Sequence, residues 1–127
     1  MALNLSSANG SYLWPVSIDV PVDGGRYEKL SFDAKFRRIP QDRTEALMLL
    51  AVKNAQQLQM GQEPEKDGTD RAVAEEVLEG WAGVIDDDGE EVPFSTTALQ
   101  SLLVFPGAAS AIVLAWYDSI NGKKAKN

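Results

Sequence analysis

Two alternating runs on either side of Asp23-Gly24-Gly25 constrain this chain more than anything else in it. Before the turn, Trp14, Val16, Ile18, Val20 and Val22 are apolar at every second position. After it, Leu30, Phe32, Ala34 and Phe36 do the same, with Lys29, Ser31, Asp33, Lys35 and Arg37 between them. A period of two is the signature of a strand with one buried face. Glycines free to take positive φ join two such strands into a hairpin. Pro15 and Pro21 lack an amide donor, so the first strand is predicted at a sheet edge. An isolated hairpin is barely stable in water. The apolar face must therefore lie on helices or on a partner.

The rest of the chain supplies helices. Ile39-Pro40 ends the second strand, because the residue before proline is driven to extended geometry. Asp42 is the predicted N-cap of a long helix, with Glu45 as its capping-box partner, and Gly61 is the predicted stop near Met60. Gln62 to Gly68 reads as a loop. Thr69 caps a short helix beginning at Asp70, on which Val73, Ala74, Val77, Leu78 and Trp81 recur at helical spacing. Ser95 caps another helix, carrying Leu99, Leu102 and Leu103. Phe105-Pro106-Gly107 breaks the chain, and proline's preference for a first helical position starts a last helix there, ending at Asn121-Gly122.

The expected fold is α+β, an N-terminal hairpin packed through Phe32 and Phe36 on a bundle of about four helices. The 127 residues suit one domain. Its parts are a loose N-terminus (1–11), a hairpin arm (12–39), a helical part (40–121) with an acidic turn at 86–91, and a basic tail (122–127). Trp81 and Phe94 are predicted to clasp the two ends of the acidic turn.

Chemistry is harder to find. The chain has no Cys and no His. That removes disulfides, thiolate metal sites, the commonest general base and the commonest zinc ligand. Asp86, Asp88 and Gly89 suggest a calcium loop. Setting Gly89 at the sixth loop position puts Val84 at the first and Ser95 at the twelfth, and neither can serve there. Gly24-Gly25 lacks the spacing of a phosphate loop. No catalytic residue, cofactor or metal is expected, and an enzyme is not the reading. The net charge of −7 argues against nucleic acid as a partner. No apolar run is long enough to span a membrane. The stretch MALNLSSANGSY lacks the basic and apolar regions of a secretory signal, so a cytosolic location is expected.

One stretch exceeds what a core needs. Ala46 to Val52 is apolar throughout, wider than one buried helical face. Either the helix is buried on two sides within the domain, or part of the belt binds a partner. On the second reading Leu47, Leu50 and Leu58 are the walls of a helix-binding groove. Arg37, Arg38 and Arg43 then meet acids on the partner's rim. Self-association through the same belt is the competing use.

Three motifs in order resemble the tail assembly chaperones of long-tailed bacteriophages. The first is WPVSIDVPVDGG followed by SFDAKFRRIPQDR, with Phe32, Ala34, Phe36, Arg37 and Arg38 matching an F-x-A-x-F-[KR]-R element. The second is Leu78, Gly80, Trp81, Gly83 and Val84, then Asp88-Gly89, then Pro93-Phe94-Ser95. The third is LQSLLVFPGAASAIVLAWYDSI. Leu47 to Arg71 has no counterpart in the pattern. The resemblance implies a chaperone that binds the tape measure protein, with the tail tube protein as a second partner. It also implies action in the host cytoplasm and absence from the mature virion. The alternative is a structural tail or neck component retained in the particle. Such families also produce a longer frameshifted form, which would place the slip near the codons for Gly122 to Asn127.

Overall fold

A computed structural model of the chain describes residues 2–6 and 10–122. The basic tail Lys123, Lys124 and Lys126 lies outside the described residues, as does part of the N-terminal segment. The two alternating runs form β1 (Ser11–Val22) and β2 (Arg26–Arg37), antiparallel from Ser11↔Arg37 to Val22↔Arg26. Gly24 and Gly25, at φ +88° and +73°, make the reversal that a Cβ would strain. Val16, Ile18, Phe32, Ala34 and Phe36 all face the core. From Pro21 to Ser31 every residue is exposed, so the distal part of the hairpin projects beyond the domain.

Helix α1 (Gln41–Gln59) follows, then a 3-10 turn (Lys66–Gly68) and α2 (Asp70–Val77). Strand β3 (Leu78–Ala82) joins the sheet, and α3 (Thr96–Val104) and α4 (Ala108–Ile120) close the chain. The fold is α+β, a hairpin followed by four helices, with one strand the periodicity did not predict. β3 pairs antiparallel with β2, giving the order β1-β2-β3 and leaving β1 at an edge. Helix α4 lies across β1 and α2 and meets α3, so its Ile112, Val113 and Trp116 complete the core.

Leu78 and Trp81 are therefore on a strand, not on the helix expected for them. The cause is a slip in register: Lys35 faces Gly80 while Phe36 faces Leu78, which leaves Glu79 without an opposite residue. A bulge of this kind puts residues three apart on the same face of a strand. The i, i+3 spacing of Leu78 and Trp81 thus imitates a helix.

Two helix starts also differ from expectation. α1 begins at Gln41 with Pro40 in the cap position and no side-chain cap. Asp42 sits inside the first turn and accepts from the Arg43 amide at 2.9 Å. Glu45 accepts from the Gln41 side chain instead of closing a capping box. α4 starts at Ala108 because Gly107 takes a left-handed conformation, φ +83°, that holds Pro106 outside the helix. The same break turns α4 by 105° from α3. The Thr69 and Ser95 caps form as expected, accepting from the Ala72 and Ala98 amides.

Candidate functional site

The belt on α1 divides into three. Leu47 has no exposed surface and belongs to the core, which corrects its expected place on a partner-binding wall. Leu50 is half-buried against Gly68; a Cβ on that glycine would lie 2.8 Å from Leu50 Cβ. Leu58 is exposed, together with Leu49, Val52 and Met60, which the belt reading did not single out as walls. The difference arises because α1 rests on the 3-10 turn and buries only Thr44, Leu47 and Asn54. The exposed side of the belt is therefore centred on Leu49 and Val52.

The three arginines also separate. Arg43 is held by α2: its Nε and Nη2 donate to both carboxylate oxygens of Glu76, at 2.8 and 2.7 Å. This bidentate contact raises the Arg43 pKa and lowers that of Glu76. Arg43 is engaged within the fold. Arg37 and Arg38 instead line a cleft of about 650 Å³, with Tyr12, Leu13, Trp14, Thr44 and Ile120 among its walls. The Arg38 guanidinium lies over the Tyr12 ring, 4.9 Å from its centroid. Tyr12 and Ser119 hydroxyls share a hydrogen bond of 2.7 Å at the cleft's back wall.

A second surface lies at the other end of the sheet. Ile18, Leu30 and Phe32 of the hairpin, Val84 and Ile85 after β3, and Leu102 and Phe105 at the end of α3 enclose an apolar groove of about 280 Å³. Leu30 and Ile85 are exposed along it. The groove was not legible as a surface because its residues come from three distant parts of the chain. Each part, read by itself, looks like ordinary core.

The acidic turn borders this groove and is held by its own hydrogen bonds. Val92 N–H donates to Val84 C=O at 2.8 Å, and Ile85 pairs with Glu91, so 84–92 forms a small hairpin. One Asp86 carboxylate oxygen accepts from the amides of Asp88 and Glu90. A Glu91 oxygen accepts from Gly83 N–H. At the base, Trp81 Nε1–H donates to Val92 C=O at 2.8 Å, and the Trp81 and Phe94 rings meet edge to face at 4.9 Å. Asp87, Asp88 and Glu90 point outward and make no ion pair among the described residues. Among those residues no three carboxylates converge to hold a metal ion.

These features define an α+β domain that carries an apolar groove beside a hydrogen-bonded acidic turn, and a basic cleft at the far end of its sheet. The chain belongs to the YdaY prophage protein family, whose family model matches residues 38–117, and it is thus a phage-derived protein. The matched span covers α1 to most of α4, while the hairpin arm lies before it. No curated protein and no solved structure matches the chain.

Proposed function

We propose that this protein is a bacteriophage tail assembly chaperone that binds helical segments of the tape measure protein and keeps them soluble until the tail tube polymerises. It acts in the host cytoplasm and leaves before the particle is complete. The observation that carries the reading is the apolar groove at the root of the projecting hairpin. Its exposed Leu30 and Ile85 are open to a partner's apolar face, and a groove of this kind suits an amphipathic helix. Two further observations support it: membership of a prophage family, and the order of the three chaperone-like motifs. The surplus of negative charge keeps a complex with an aggregation-prone partner in solution.

The test is coexpression with the tape measure protein of the same phage. The expected outcome is a soluble tape measure protein only when this chain is present, and purified virions that lack the chain. A tape measure protein equally soluble without it ends the chaperone reading. Stoichiometric presence of the chain in virions would instead identify a structural tail component.

A further inference from the structure

We propose that the cleft at Arg37 and Arg38 receives the acidic turn of a second copy of this chain, so that copies associate head to tail. The proposal is independent of the chaperone reading. In a chain of net charge −7, this cleft contains two guanidinium groups and no carboxylate among its described lining residues. Neither arginine makes an ion pair among the described residues. Arg38 is held in place on Tyr12, so it gives up little freedom when it meets an anion.

The acidic turn supplies that anion. Asp87, Asp88 and Glu90 project from a hairpin already fixed by its own amides and by Trp81, so docking costs little ordering. Ile85 beside them is 61% exposed, and the cleft offers Leu13 and Ile120 at 58% and 39%. Charge and apolar surface are thus matched on both sides. A chain cannot fill its own cleft. Arg37 and Leu30 are seven positions apart along β2, about 23 Å at about 3.3 Å per residue, and the acidic turn lies at the Leu30 end. The two patches differ, so the contact is heterologous and propagates beyond a dimer.

Sedimentation velocity on the full chain tests this. Wild type is expected to form species larger than a dimer as concentration rises, and salt should weaken the association at least about tenfold, since exposed charges are screened over about 10 Å at 0.1 M. D87K/D88K and R37Q/R38Q variants, each checked for an unchanged thermal melt, should both be monomers. Mixed, they should form a dimer and nothing larger, because only one intact turn and one intact cleft remain per pair. Leu13→Ser is the substitute cleft variant should the arginine pair fail to fold. A wild type that stays monomeric at low salt overturns the proposal. So does a D87K/D88K variant that associates like wild type, or a mixture that remains monomeric.

Discussion

Trp81 joins three parts of the molecule through one side chain. Its N–H reaches the Val92 carbonyl, and its ring meets Phe94 on one side and Phe32, at 6.3 Å, on the other. It thereby ties β3, β2 and the far end of the acidic turn together. Trp81→Ala should cost about 3 kcal/mol in urea denaturation, at the low end for a large aromatic because the ring is only half-buried. Trp81→Phe keeps the ring contacts and loses the hydrogen bond, so it should cost about 1 kcal/mol. A loss well below about 1 kcal/mol for the alanine variant would place Trp81 outside the core. Glu76 makes a second prediction at this scale. Its carboxyl pKa is lowered, first by the hydrogen bonds from Arg43, against the opposing effect of partial burial. A lowered folded-state pKa means a contribution present at neutral pH and lost as the pH falls through that value. Acid titration of stability should therefore fall more steeply for wild type than for Glu76→Gln, below the usual carboxylate range. Parallel curves would show the pair to be energetically silent.

At the scale of elements, the loop after α1 is latched by one buried amide. Asn54 Nδ2 donates to Glu65 C=O at 3.1 Å, and Glu65 N–H donates to Asn54 Oδ1 at 2.8 Å. Gly68 closes the latch: a Cβ there would stand 2.5 Å from Asn54 Nδ2 and 2.8 Å from Leu50 Cβ. Gly68→Ala should thus cost about 1–3 kcal/mol by overpacking, with loosening of the 59–69 loop visible in amide exchange. An alanine variant as stable as wild type, with unchanged exchange, would show that α1 shifts to make room. Nothing local in the sequence marks Asn54 as the loop's anchor. Other elements were legible, for stated physical reasons. Strict alternation specified β1 and β2, and Thr69, Ser95 and Gly61 punctuated the helices because their side chains or φ freedom act locally. β3 was not legible. A bulge changes which residues share a face, and no local preference reports a pairing made with a strand some forty residues earlier in the chain.

At the scale of the whole molecule, two apolar surfaces compete for the proposed partner. The sequence suggested α1, because a continuous apolar run is visible without knowing the fold. Folding removes Leu47 from that surface and leaves Leu49 and Val52 exposed. It also assembles a concave groove from residues whose nearness no local pattern could report. A groove desolvates more of a helix than an exposed stripe does, and this favours it as the surface for the proposed partner. Leu30→Asp and Ile85→Asp, at exposed positions where the fold should tolerate charge, are expected to abolish solubilisation of the coexpressed tape measure protein with thermal melts unchanged. Leu49→Asp and Val52→Asp should leave it intact. The reverse pattern would return the binding surface to α1. If both pairs solubilise as well as wild type, the contact lies on neither surface, and the projecting tip at Val22 and Tyr27 becomes the next place to introduce charge.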